Sequence, residues 1–204
     1  MQAFYQIADE LRQISDMGLT YSRDAYDRER FTRIAELSAR LAAGADGGSA
    51  EDILMEYGQG FAHLSPLIGA DAVVIEHGKV LLIRRRDNGL WALPGGLAEV
   101  GETVPRAAER ELREEAGINA TATRLLGAWD SRTIGSSPKM QMLHVAFLMM
   151  TDTDARPNGD SLETFEARYF GAEELPALSP GHDIMVPHVV KSAQDPATPA
   201  WFDR

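Results

Sequence analysis

The stretch ERELREEAG, residues 109–117, places four glutamates within nine positions. Like charges this dense repel one another along a helix, so the segment is constrained to a place where something offsets the repulsion. At about 100° per residue, Glu111, Glu114 and Glu115 share one arc, and Arg106, Arg110 and Arg113 are expected on another side. Ala108, Leu112 and Ala116 form an apolar stripe beside the glutamate arc. Three carboxylates are therefore expected at the margin of a buried face. Convergent hard oxygen ligands suit Mg²⁺ or Mn²⁺, and a bound cation would turn their repulsion into attraction. A charge run with interleaved arginines is otherwise a solvated helix face, and the spacing is what argues against that here.

The surroundings give this helix a frame. Thr103 is expected as its N-cap, Pro105 falls in the first turn where its missing N–H costs little, and Gly117 is expected just past its end. Upstream, residues 71–76 and 79–85 are rich in β-formers and are joined by His77-Gly78, which predicts a hairpin. Strands are predicted over 120–130, 140–151 and within SLETFEARYF (161–170), a turn with a short helix over EELPALSPGH (173–182), and a terminal helix over 182–193. Strands mixed with few helices predict a mixed-sheet α/β or α+β sandwich rather than a regular βαβ repeat.

Residues 1–64 differ in character. Phe4, Ile7, Leu11 and Ile14 recur at helical spacing, and GLT at 18–20 is expected to break that helix. Phe31, Ile34, Leu37 and Leu41 line a second helix, with Gly44 as its stop, and Ser49 with Asp52 predicts a capping box opening a third. The chain thus divides into a small N-terminal helical domain, 1–64, and a second domain, 65–204.

Composition narrows the function classes. There is no cysteine, which excludes disulfides and thiolate metal sites, and the net charge is −11. Residues 1–65 carry six basic and eleven acidic residues, a poor DNA-binding surface. The first residues, MQAFYQIADELRQ, lack a basic region followed by an apolar run, so no signal peptide is expected. No stretch approaches 18 apolar residues. Neither DNA nor a membrane is an expected partner, and the expected compartment is the cytoplasm.

The full run GLAEVGETVPRAAERELREEAGI, residues 96–118, resembles the Nudix box. Gly96, Glu102, Arg110, Glu111, Leu112, Glu114, Glu115, Gly117 and Ile118 occupy its fixed positions, and Trp91, Leu93, Pro94, Gly95 and Gly96 match the flank common in that family. The resemblance implies a Nudix-type α/β/α sandwich around a mixed sheet. It also implies hydrolysis of a nucleoside diphosphate linked to another group. By the same resemblance Glu111, Glu114 and Glu115 would bind Mg²⁺ or Mn²⁺ together with the Gly96 carbonyl, and Glu102 and Arg110 would orient the loop. By the resemblance Glu99, in the flank, would sit near metal or substrate. The family varies in its general base, which leaves Glu111 and the late-loop residues Glu163 and Glu166 as candidates. Arg84, Arg85 and Arg86 end the second predicted strand, with Arg84 and Arg86 expected on one face and Arg85 on the other, and one of them, Arg84 or Arg86 first, is expected to hold a substrate phosphate.

Residues 18–34 and LLGAWDSR (125–132) resemble the N-terminally extended Nudix subfamily that includes CDP-choline pyrophosphatase and ADP-ribose pyrophosphatase-like proteins. GSSPKMQ (135–141) departs from the His/Pro-rich loop expected there. This resemblance implies a CDP-choline- or ADP-ribose-like substrate, a nucleoside monophosphate product, and a homodimer formed through the extension, which would also border the substrate site. The alternative is a ligand-sensing Nudix regulator that binds an ADP-ribose-like nucleotide without turnover. Such sensors tend to lose box glutamates, and here all are present.

Overall fold

The computed structural model describes residues 2–60, 66–136, 141–151, 156–159 and 161–203. They form two compact units, residues 1–65 with 99–101, and residues 66–98 with 102–204.

The first unit is built on α1 (Gln2–Tyr21), α2 (Ala25–Asp46) and α3 (Ala50–Gly60). Small residues let α1 and α2 approach closely. The Ser38 hydroxyl donates to the Ala8 carbonyl at 2.6 Å, and Ser15 donates to that of Phe31 at 2.7 Å. Gly18 does not break α1 as the sequence suggested: a Cβ there would lie 2.2 Å from the Phe31 ring, so it is a packing glycine. The chain turns at Asp24, whose carboxylate accepts from the N–H groups of Tyr26 and Asp27. Gly44 does not stop α2 either; the helix runs on to Asp46, and Gly47 ends it with φ +79°. Ser49 Oγ accepts from Asp52 N–H at 3.3 Å at the entry to α3. Residues 61–65, which hold the boundary read from the sequence, lie outside the described residues.

The second unit holds two sheets. One has the order β5 (Gly95–Leu97), β1 (Leu67–Val73), β7 (Met142–Thr151), β6 (Ala120–Asp130) and β9 (Trp201–Phe202). β1 runs parallel to β7, while β5–β1 and β6–β7 are antiparallel. In the other, β3 (Lys79–Arg85) pairs with β2 (Ile75–Glu76), β4 (Trp91–Ala92) and β8 (Thr164–Gly171). The predicted hairpin is confined to β2 and β3, through His77 and Gly78 at positive φ. The apolar run before it splits at Val74, because β1 is recruited into the other sheet.

Alternation sends opposite faces of the strands to opposite layers. Ala70, Ala72, Leu81, Ile83 and Phe147 pack with Ala107, Ala108, Leu112 and Ala116 of α4 (Val104–Ala116). Val73, Val80, Leu82, Trp91, Leu126 and Trp129 pack with Met185, Val186 and Val189 of α6 (His182–Gln194). The unit is thus an α/β/α sandwich. Residues 172–181 contain no helix, contrary to the sequence reading; Leu178 instead bridges to Trp91. A short α5 (Ser131–Ile134) and β9 were not foreseen.

Candidate active site

The glutamates sit on α4, whose apolar stripe fixes how the helix rolls against the sheets. Ala108, Leu112 and Ala116 are fully buried, and this places Glu115 inward at 6% exposure. Glu111 lies at the margin and Glu114 is exposed. Thr103 stands at the N-cap with extended backbone, but its hydroxyl makes no capping bond. Gly117 closes the helix at φ +68°, its N–H on the Arg113 carbonyl.

Glycine strand β5 runs beside the helix. Gly95 N–H donates to Glu115 Oε2 at 2.7 Å. A Cβ on Gly96 would lie 2.3 Å from Glu111 Oε1, and one on Gly95 would lie 2.6 Å from the Ala70 carbonyl oxygen. The Gly-Gly pair therefore lets the β5 backbone reach both carboxylates. Arg110 does not point away as the helical wheel suggested. Its guanidinium donates to Glu102 Oε1 at 2.9 Å, Glu111 Oε1 at 2.8 Å and the Leu97 carbonyl at 3.0 Å, and it lies 3.5 Å from Glu114. It ties the loop before the helix to β5.

Burial is the main reason that Glu115 is hard to ionise: its pKa is pushed up to about 8, against the Gly95 hydrogen bond, with Glu111 and Glu163 adding repulsion. Burial also raises Glu111, with the hydrogen bond and charge of Arg110 opposing it. These are carboxylates with a deficit of positive charge. As they stand, Glu111 is turned onto Arg110 and Glu115 onto Gly95, and among the described residues no three His, Asp or Glu side chains converge closely enough to hold an ion. The donor set nevertheless fits a divalent cation, since buried hard oxygens that repel one another on a fixed backbone are what such an ion would neutralise.

The remaining candidates separate. Glu163 acts electrostatically on both Glu111 and Glu115. Glu166 pairs instead with Arg168 at 3.6 Å. Arg84 and Arg86 share one side, as alternation predicts, and lie over the Phe165 ring at 5.9 and 4.5 Å. Arg85, on the opposite side, feels the charges of Glu115 and Glu163 and is bonded to Asp87 at 2.7 Å. Glu99 is exposed and belongs to the unit that contains the helices. Residues 137–140, within the GSSPKMQ loop, lie outside the described residues.

A second polar cluster also escaped the sequence analysis. Asp71, on β1 beside Gly95, is buried with His144 and His182. His144 Nδ1 lies 3.1 Å from Asp71 Oδ2, His182 Nε2 lies 3.7 Å from Oδ1, and Ser136 Oγ lies 2.9 Å from His144 Nε2. Burial would raise the Asp71 pKa, but the two histidines outweigh it and hold the carboxyl well below its usual range. His144 is lowered by burial and raised more by Asp71, ending above the ordinary histidine value. Its partners come from residues 71, 144 and 182, so no local spacing could have signalled it.

The family model described as the NUDIX domain matches residues 66–189. The chain belongs to the NUDIX family. A second model, described as the UDP-X-like, N-terminal oligomerisation domain, matches residues 2–55. Among NUDIX relatives, YjhB of Bacillus subtilis (strain 168), whose name marks it as a candidate ADP-ribose pyrophosphatase, is 31% identical over 174 residues, covering 85% of this chain and 83% of that protein. An ADP-ribose pyrophosphatase of Methanocaldococcus jannaschii is 32% identical over 127 residues, 61% of this chain and 73% of its own length. A solved UDP-X diphosphatase shares the fold over 98% of both chains, with a TM-score of 0.63 and 24% identity.

Proposed function

We propose that this NUDIX protein hydrolyses the pyrophosphate bond of a nucleoside diphosphate linked to another group, of the CDP-choline or ADP-ribose kind, and releases a nucleoside monophosphate. The observation that carries the proposal is the buried Glu115 beside Glu111, on a helix whose box positions are all filled. The names of the NUDIX relatives support the substrate class.

In this reading Glu111, Glu114 and Glu115 and the Gly96 carbonyl hold Mg²⁺ or Mn²⁺. The ion would supply charge neutralisation at the diphosphate and an acidified water. Arg110, bonded to Glu102, Glu111 and the Leu97 carbonyl, keeps the glycine strand and the helix in register. Gly95 N–H fixes the carboxylate of Glu115. Glu163, with its charge felt at both box glutamates, is the favoured group for accepting a proton from water. Glu166 is engaged with Arg168 and is a weaker candidate. Arg85 is better placed by charge to meet a phosphate than Arg84 or Arg86, which lie over Phe165.

The helical unit is proposed to form a homodimer. α1 leaves Phe4, Ile7, Ile14, Met17 and Tyr21 exposed, an apolar stripe at helical spacing. The N-terminal family match supports this reading. No helix among the described residues is long and apolar enough to cross a membrane.

The test is a screen of nucleoside diphosphate-X compounds with Mg²⁺ or Mn²⁺, with the monophosphate product identified by chromatography. Glu115→Gln should lower kcat by about 10²–10⁴. A nucleoside triphosphate turned over at a hundredfold higher kcat/KM would overturn the substrate class. Tight binding of ADP-ribose with no turnover of any compound would return the sensor reading.

A further inference from the structure

Glu163 is exposed and lies in the segment between β7 and β8. A side chain on a free loop has no fixed distance to α4. Yet the backbone around Glu163 is fastened on two sides, and a single buried hydroxyl lies where the fastenings meet.

Thr164 is fully buried. Its Oγ1 donates to the Glu115 carbonyl at 3.0 Å and also faces the Gly159 carbonyl. Ser161 Oγ lies 2.8 Å from Thr164 Oγ1, and receives the N–H groups of Glu163 and Thr164 at 3.3 and 3.2 Å. Thr164 has one proton to give. Donated to the two carbonyls, it leaves the oxygen to accept from Ser161, whose own oxygen takes the two amides. Every group then has a partner, and the hydroxyl joins the last turn of α4 directly to the residue beside Glu163. Nearby, Asn158 N–H donates to the Ala116 carbonyl at 2.8 Å. On the other side Arg86 N–H donates to the Glu163 carbonyl at 2.8 Å, and Arg86 Nε to that of Ser161 at 2.8 Å.

We propose that Thr164 is a positioning residue: its hydroxyl clamps the segment carrying Glu163 to the C-terminal turn of the glutamate helix and so sets where the Glu163 carboxylate stands relative to Glu111 and Glu115. Thr164 acts through the backbone and touches no substrate. Because the clamp joins the Glu115 carbonyl to the neighbour of Glu163, displacement of one carboxylate displaces the other. The inference rests on the proposed role of Glu163, and the experiment separates the two.

The probe is Mn²⁺ alone, titrated into the ¹⁵N-labelled full chain, with amide line broadening as readout. Glu163 and Gly96 amides should both broaden in the wild type and in Thr164→Ser. In Thr164→Val, which keeps the shape but loses the hydroxyl, Gly96 should broaden as before and Glu163 at least threefold less. If Thr164→Val does not fold, Ser161→Ala, which removes the partner of Thr164 Oγ1, should show the same selective loss. Kinetics form the second arm. Thr164→Val should lower kcat by about 10- to 100-fold with KM held within about threefold, and adding it to Glu163→Gln should cost nothing further. Thr164→Ser should restore turnover. Unchanged broadening at Glu163 in Thr164→Val, or losses that multiply with Glu163→Gln, would overturn the proposal. If the wild type hydrolyses no nucleoside diphosphate compound, the functional reading fails, and the broadening arm alone still decides the clamp.

Discussion

Replacing Glu115 by Gln should make the protein more stable and less active, and the sizes follow from burial. The carboxyl titrates at about 8 in the fold, against 4.5 for a free glutamate. A folded pKa above the unfolded one means that the folded state binds the extra proton between those values. The associated stability is complete at low pH and falls as pH rises through that window. Near pH 7 about 2.5 pH units of it have been traversed, which at ~1.4 kcal/mol per unit is a destabilisation of ~3 kcal/mol. Gln removes this cost and, like the neutral carboxyl it replaces near pH 7, accepts from Gly95 N–H through its carbonyl oxygen. The net gain is ~3 kcal/mol, a rise in Tm of roughly 6–12 °C. Thermal unfolding in chelator at about pH 7 reads it directly. At about pH 4.5 the difference should shrink to a few tenths of a kcal/mol. Saturating Mg²⁺ or Mn²⁺ should raise the wild-type Tm more than the variant's, because only the wild type offers the full set of charges. A lower Tm for the variant in chelator near neutral pH, or a difference that does not change with pH, would refute the electrostatic reasoning.

The two glycines of β5 should behave differently. In Gly96→Ala the new methyl meets the movable end of Glu111, so the fold should survive with Tm within a few degrees while kcat falls at least tenfold; in Gly95→Ala it meets the Ala70 backbone, and the loss should be mainly of stability, ~2–4 kcal/mol by denaturant titration. Asp71→Asn should cost ~3 kcal/mol, because it strips a buried pair of one partner. Asp71 is lowered, so its contribution fades as pH falls below its ordinary range. His144 is raised, so its contribution fades as pH rises above about 6.5. The deficit of the Asn variant in urea titrations should therefore be largest between about pH 4 and 6.5. Light scattering should find the full chain dimeric at tens of micromolar, and a monomer there would reject the homodimer.

The sequence by itself determined the glutamate helix. Its glutamates, its apolar stripe and the Gly117 terminator are local, and 3.6-residue periodicity fixes which side of the helix is buried. The α/β class and the strands from 120 to 130 and through the 140s were legible for the same reason, since alternation and apolar runs are read within one segment. What the sequence could not decide depended on distant partners. Residues 71–76 read as one strand, but β1 pairs with β5 and β7 while β2 turns back on β3. Gly18 read as a breaker until Phe31, from the next helix, came against it. The helical wheel put Arg110 on a side away from the glutamates and the resemblance put it with Glu102, but its bonds to Glu111 and the Leu97 carbonyl come from the way β5 and the preceding loop fold against the helix. Asp71, His144 and His182 are brought together from two strands and a helix more than thirty residues apart, and Thr164 meets Glu115 from nearly fifty residues away. Charges and hydroxyls act over a few ångströms of space, and only the packing of sheets and helices sets which of them fall within that range.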